Sequence, residues 1–203
     1  MSMYKQIFAL TLFLVFFSGP SAALPFINEF HYDNSGSDVG EFVEIAGAAG
    51  TDLSGWSLSF YNGNNGNVYA SWWLYGVIED QSNGFGAFAF TGNSTIQNGE
   101  NDGIALVDDM GLVIQFLSYE GQLIASNGAA QGQTSIDIGV MEDGATDEGF
   151  SLQRMGTGLN DEDFIWQVGV SSFGLINPEQ EFVVNTIKPT VNAVHEPSSL
   201  SLI

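Results

Sequence analysis

The feature that most limits the possible folds is a succession of short apolar runs separated by turns rich in Gly, Asn and Asp. Several runs alternate apolar and polar side chains, as a half-buried β-strand does, and no stretch keeps a helical period over three turns. The pattern predicts strands at residues 26–32, 41–46, 56–62, 67–78, 84–90, 104–108, 112–118, 148–155 and 164–170. We therefore expect an all-β, immunoglobulin-like β-sandwich, with a closed barrel as the alternative.

The first 23 residues have the organisation of an export signal. Lys5 supplies a positive charge, and residues 7–17 form an apolar run too short to span a bilayer of about 30 Å as a helix. A Ser-Ala-Ala sequence ending at Ala23 then offers a cleavage site, with a retained anchor as the alternative. We expect an exported protein, secreted or held at the cell surface, with a β-domain at 24–182 and a linker and tail at 183–203.

The strong negative charge of the chain restricts the classes of partner that it can bind. Without the export signal the chain keeps 24 acidic side chains and only two basic ones, Arg154 and Lys188, which gives a formal charge of −22. Phosphate backbones are bound through Lys and Arg, so we expect no direct binding of nucleic acid or anionic lipid. Divalent cations, neutral sugars and basic protein surfaces remain, and solubility alone is the alternative. The absence of cysteine excludes disulfides and Cys-ligated zinc.

Several motifs follow one another along the chain: Asn28-Glu-Phe-His-Tyr-Asp33, Gly40-Glu-Phe-Val-Glu-Ile45, Asp52-Leu-Ser-Gly-Trp56, Asn101-Asp-Gly-Ile-Ala-Leu-Val107, Ser151-Leu-Gln-Arg154 and Phe173-Gly-Leu-Ile-Asn177. Their order resembles the lamin-tail-like domain of secreted bacterial proteins over about residues 25–182. The resemblance implies an immunoglobulin-like sandwich. It also implies a non-catalytic binding or adhesion module, whose partner is an extracellular protein or a polysaccharide. Similar domains stand at the front of large secreted nucleases, so an accessory domain or remnant of a nuclease or phosphodiesterase is the alternative.

The tail has a resemblance of its own. The sequence from Val194 to Leu202 is similar to the opening of a PEP-CTERM sorting signal, in which Pro-Glu-Pro precedes a membrane span and a basic cluster. His195 stands where the first Pro is found in that signal, and no span follows before Ile203. The resemblance implies surface sorting, and a chance Glu-Pro-Ser tail is the alternative.

The loop between the first two predicted strands concentrates hard oxygen ligands. Calcium takes six to eight such oxygens, and Asp33, Asp38 and Glu41 are its candidate ligands here. The spacing is not that of an EF-hand, and Asp33 or Asp38 could equally accept backbone N–H groups in a turn. Calcium is the one cofactor that the sequence suggests.

Aromatic residues form the candidate ligand-binding surface, at Trp72, Trp73 and Tyr75. Neighbouring side chains of a strand point to opposite faces, so we expect at least one Trp to face solvent. Exposed aromatic rings stack on neutral sugars, which makes a carbohydrate-binding module a further hypothesis. Packing of both Trp rings in the core is the alternative.

Signs of catalysis are weak. His31 could ligate a metal or act as a base, but with no second His in the domain a hydrogen-bonded structural role is favoured. The sequence has no nucleophile elbow and no phosphate loop, and nothing fixes a carboxylate pair in the acidic stretch 142–148. We expect a non-enzymatic protein in which Arg154 pairs with a carboxylate and holds the last strands.

Overall fold

The structure is a computed structural model that describes residues 23–183. Its strands are β1 (Phe26–His31), β2 (Phe42–Ala48), β3 (Ser57–Asn62), β4 (Asn67–Trp73), β5 (Phe85–Phe90), β6 (Gly103–Val107), β7 (Val113–Ser118), β8 (Ile136–Asp137), β9 (Phe150–Gly158), β10 (Ile165–Val170) and β11 (Gln180–Phe182). Within this part of the chain the helical structure is one short 3-10 helix, Asp161–Asp163. All of the predicted export signal except Ala23, and all of the predicted tail after Val183, lie outside the described residues.

The strands form two sheets packed face to face. One sheet has the order β10-β9-β1-β2-β5, with β11 pairing in parallel with the end of β9. The other has the order β4-β3-β6-β7-β8, in which β8 joins β7 in parallel. Two separate sheets with edge strands confirm the all-β sandwich and exclude the closed barrel. No helix among residues 23–183 has the length and hydrophobicity needed to cross a membrane.

The main core lies between the sheets and is built by alternation along the strands. Trp56 belongs to it at 9% exposure. Each large apolar side chain buried here stabilises the fold by about 1.5–3 kcal/mol. Other members are Ile27, Phe30, Val43, Ile45, Leu58, Phe60, Trp72, Ile104, Leu106, Leu117 and Leu152.

A β-bulge in β1 decides which side chains reach that core. The register against β2 shifts between Ile27 and Glu29, so that Ile27 and Phe30 both point inward although they are three residues apart. The same shift turns Glu29 to the outer face, directly opposite Glu44 of β2. Simple alternation along β1 would not have predicted this arrangement.

The outer face of the six-stranded sheet carries a second, smaller core. Phe85 and Phe182 stack there with ring centroids 4.5 Å apart, together with Phe26, Phe164 and Ala46. The chain reaches this face after β10, through residues 171–177, which we call the closing segment. The outer face is therefore buried by the chain's own C-terminal part rather than left to solvent.

Arg154 holds this C-terminal part, as expected. Its Nε donates to the Ile27 carbonyl at 3.0 Å, its guanidinium lies 3.6 Å from the Asp161 carboxylate, and it stacks 4.7 Å from the Trp166 ring centroid. Burial lowers the pKa of Arg154 to about 10, and the nearby Asp161 and Glu162 carboxylates oppose that shift. The side chain stays charged at neutral pH, and the predicted pairing is confirmed.

One predicted strand is too long. The sequence predicts 67–78 as a single strand, whereas β4 ends at Trp73. Gly76 has φ +89 and sits so close to the Phe88 ring that a Cβ would lie 2.8 Å from it. This turn takes the chain away from the β4 edge and across to β5.

Candidate functional site

A shallow groove runs along the outer edge of β5. It has a volume of about 290 Å³ and is open to solvent on one side. One wall comes from the segment after β4 and the other from the closing segment. Its lining is Val77, Glu79, Gln81, Ala87, Phe88, Ala89, Phe173 and Gly174.

Aromatic rings fix the shape of the groove. Tyr75 is 64% exposed, yet its ring packs edge-on against Phe88 and Phe90 at centroid distances of 5.9 and 5.5 Å. Phe173, in the wall formed by the closing segment, is 53% exposed and packs edge-on against buried Phe42 at 5.0 Å. Edge-to-face pairs of this kind contribute about 0.5–1.5 kcal/mol each beyond burial. The exposed rings are therefore held in place before any partner arrives.

Gln81 occupies part of the β5 edge. Its Oε1 accepts from the Ala87 N–H at 3.3 Å and its Nε2 donates to the Ala87 carbonyl at 3.1 Å. The same side chain bonds the closing segment, accepting from the Ile176 N–H and donating to the Gly174 carbonyl. The Gln81 amide thus bonds both backbone groups of Ala87 and also links the two walls of the groove.

The structure separates the three aromatic residues that the sequence singles out. Trp72 is 6% exposed in the main core, and its Nε1 donates to Ser94 Oγ at 2.9 Å, so its ring is not available at the surface. Trp73, its neighbour, is 74% exposed and points away from that core. Tyr75 lies at the β5 groove. Alternation along the strand explains why one Trp is buried and the other is not.

The candidate calcium ligands occupy the loop after β1. Asp33 and Asp38 lie near each other, and burial together with the Asp38 charge raises the pKa of Asp33. Glu41 Oε2 instead accepts from the Ile96 N–H at 2.5 Å. Within residues 23–183 no three His, Asp or Glu side chains are grouped so that they could hold one metal ion. The geometry adds no support for calcium, which stays a prediction.

His31 organises this loop through a buried ion pair. Its Nδ1 lies 2.8 Å from Glu142 Oε1 and its Nε2 lies 3.1 Å from the Val39 carbonyl. Burial by itself lowers the pKa of His31, but the hydrogen bond and charge of Glu142 and the Val39 carbonyl raise it above the ordinary value. Since both ring nitrogens face acceptors, the doubly protonated imidazolium is the form that fits. This is the structural role that the sequence favours.

Replacing His31 with Gln should destabilise the fold in a pH-dependent way. A raised pKa means that the protonated side chain stabilises the folded state fully below its unfolded pKa of 6.5, and that this is lost as pH rises through the folded pKa. We expect His31→Gln to lower the free energy of unfolding by about 2 kcal/mol at about pH 5.5 and by less at about pH 9. Urea denaturation at both pH values measures this, and an equal loss at both would contradict it.

The buried carboxylates Glu29 and Glu44 face each other across β1 and β2 and anchor the closing segment. Ser172 donates to Glu29 through its N–H at 3.0 Å and its hydroxyl at 2.6 Å. The Gly174 N–H donates to Glu44 at 2.7 Å. Burial, and then the neighbouring Glu29 charge, raise the pKa of Glu44 to about 8. Both side chains are fully covered, so this pair holds the fold and has no access to a substrate.

Sequence reasoning missed most of the groove. Phe88 lay in a predicted strand and Phe173 in a quoted motif, but neither pattern indicated that they meet near the same edge. Nothing in the sequence marked Gln81. The partner of His31 was also missed because Glu142 lies 111 residues away. No protein-family model, curated protein or solved structure matches this chain.

Proposed function

We propose that this chain is an exported, non-catalytic binding module of lamin-tail-like type, and that it contacts an extracellular partner through the β5 groove. The observation that carries the proposal is a pair of exposed rings held by other rings: Tyr75 beside the groove, packed against Phe88, and Phe173 in the groove wall. Rigid, exposed aromatic rings flanking a depression are typical of sites where partners gain most of their binding energy.

The motif residues support a role in folding rather than in chemistry. Glu29 and Glu44 anchor the closing segment, while Asp52 accepts from the Ser54 N–H at 2.8 Å in the turn before Trp56. Asp102 accepts from the Gly63 N–H at 2.6 Å and ties two loops together. If these motifs specify the sandwich, the binding function is carried by other residues, such as those of the groove.

The proposal is tested with random peptides displayed on phage and selected on the full exported chain. We expect Tyr75→Ser combined with Phe173→Ser to weaken most selected peptides about tenfold or more, because each ring supplies an anchor of the kind found at hot spots. Ile124→Ser is the matched control, since Ile124 is also exposed, at 63%, and does not line the groove. Thermal melts check that the variants fold. Equal binding by the double variant and wild type would contradict the proposal.

A carbohydrate-binding function is the second candidate, and Trp73 is the observation that favours it. Its indole is 74% exposed, which is unusual for so large an apolar ring in a chain that buries Trp72 and Trp56. A glycan array distinguishes it: retention of a neutral glycan by wild type and its loss with Trp73→Ala would establish this candidate. Retention that Trp73→Ala leaves unchanged would contradict it.

A further inference from the structure

We propose that the β5 edge at Ala89 accepts an extended peptide strand of alternating basic and apolar side chains, which adds to the six-stranded sheet. The inference rests on the proposed binding role of the groove and names the class of its partner. It depends on the direction of the edge backbone groups, on the place of Gln81, and on the charge of the surface.

Hydrogen bonding along β5 fixes where the free groups point. The N–H and C=O of Ala87 are bonded to Gln81, so they face away from β2, and the Ala46–Ala87 pair is of the non-hydrogen-bonded kind. Two residues on, Ala89 pairs with Glu44 in the same way, and its N–H and C=O point to the same side. Among residues 23–183 neither group has a hydrogen-bond partner. Ala89 therefore presents an unused donor and acceptor to the groove.

The Gln81 side chain shows what kind of group fits this edge. Its amide gives Ala87 the donor and the acceptor that a peptide unit of an added strand would give. The next such position lies two residues along, about 6.8 Å away, at Ala89. An extended peptide offers amides at that spacing, whereas a sugar ring does not. The Gln81 side chain thus fills the hydrogen-bonding position at Ala87 and leaves the next one, at Ala89, open.

The walls and the charge specify the side chains of the added strand. Val77 and Phe173, 47% and 53% exposed, offer apolar contacts on the two sides of the edge. Glu79 lines the same groove. Arg154 is the one Lys or Arg within residues 23–183, and it is 5% exposed, so no Lys or Arg on the described surface would repel a basic partner. Opposite charge favours association, and Lys or Arg at alternate positions provides it.

The probe is a fluorescent peptide of about six residues that alternates Lys and Val, capped at both ends and measured by anisotropy at about 150 mM salt. We expect saturable binding to the full exported chain. Ala89→Pro removes the outward N–H without removing a hydrogen bond to β2, a change that edge strands tolerate, and should weaken binding about fivefold or more. Ala89→Val changes the side chain but keeps the N–H, so Ala89→Pro should bind about fivefold more weakly than Ala89→Val. A Glu-Val peptide should not bind.

A second measurement covers the case in which Ala89→Pro does not fold. The Lys-Val peptide with N-methyl groups along one edge has lost its donors there and should bind wild type about fivefold more weakly or worse. Equal binding of the plain and methylated peptides, or of wild type and Ala89→Pro, would overturn the strand proposal. So would a dimer of the protein alone that Ala89→Pro abolishes, because a second copy would then be the occupant.

The outcomes also separate this inference from the proposed function. Suppose that phage-selected peptides need Tyr75 and Phe173 but not the Ala89 N–H. That result would support the proposed binding function and contradict the addition of a peptide strand at Ala89. Selected peptides that ignore both rings would contradict the proposed function itself, whatever the Lys-Val peptide does.

Discussion

Replacing the buried Glu29 with Ala is expected to cause a large loss of stability on the outer face of the six-stranded sheet. The carboxylate accepts from the Ser151 hydroxyl at 2.7 Å and from both the N–H and the hydroxyl of Ser172. Removing it leaves these buried donors without an acceptor and frees the start of the closing segment. Because each unsatisfied buried group costs about 1–3 kcal/mol, we expect a loss of about 3–5 kcal/mol.

Urea denaturation of wild type and variant measures this loss, and limited proteolysis reports whether residues 171–177 become accessible. Glu181→Ala is the matched control, since Glu181 lies on β11 with an exposed side chain, and it should change stability by about 0.5 kcal/mol at most. Glu29→Gln keeps the shape of the side chain and one hydrogen-bond acceptor. Its loss of stability should therefore lie between those of Glu29→Ala and Glu181→Ala. If Glu29→Ala were as stable as Glu181→Ala, the closing segment would be held by other contacts.

Stability should fall as pH rises from about 4.5 to about 8, and Glu44 should account for much of that fall. Its pKa is 4.5 in the unfolded chain and about 8 in the folded one, because of burial and then the Glu29 charge. Between these values the folded state binds the proton and the unfolded state does not, so raising the pH favours unfolding. The loss of folding stability caused by ionising Glu44 is absent below the unfolded pKa, grows between the two pKa values and is complete above the folded pKa. A pKa shift of this size lowers the free energy of unfolding by at most about 5 kcal/mol.

Glu44→Gln removes the titrating group and should flatten this dependence. We expect the variant to be close to wild type at about pH 5 and more stable by about 2 kcal/mol or more at about pH 9. Glu79→Gln is the control because Glu79 is exposed, and it should keep the wild-type slope. Equal slopes for wild type and Glu44→Gln would show that the carboxyl titrates normally in the folded state.

Most of the sandwich was predictable from local pattern. Nine of the strands correspond to alternating or apolar runs, and the Trp72–Trp73 dipeptide shows why: one ring belongs to the core and the next to solvent. β8 and β11 span only two and three residues, too few for a period to appear. The overlong fourth strand has a similar origin, since apolar content continues past Trp73 while Gly76 turns the backbone.

The candidate site was far less predictable because it depends on register and distant pairing. The β1 bulge sets Glu29 opposite Glu44, and nothing in either motif records that shift. The groove joins β5 to the closing segment, with Gln81 bonded to Ile176 across 95 residues. A single sequence shows that Phe173 is apolar, but not that it faces Val77 across a groove.

Amide hydrogen exchange of the full chain, with and without the Lys-Val peptide, shows which surface binds the peptide. We expect slower exchange of the Ala89 N–H, with further protection at residues 173–175, when the peptide is bound. We expect no change in the acidic loop at residues 33–41, whose charge alone would also attract a basic peptide. Protection confined to that loop, with Ala89 unchanged, would contradict the assignment of the β5 groove as the binding surface.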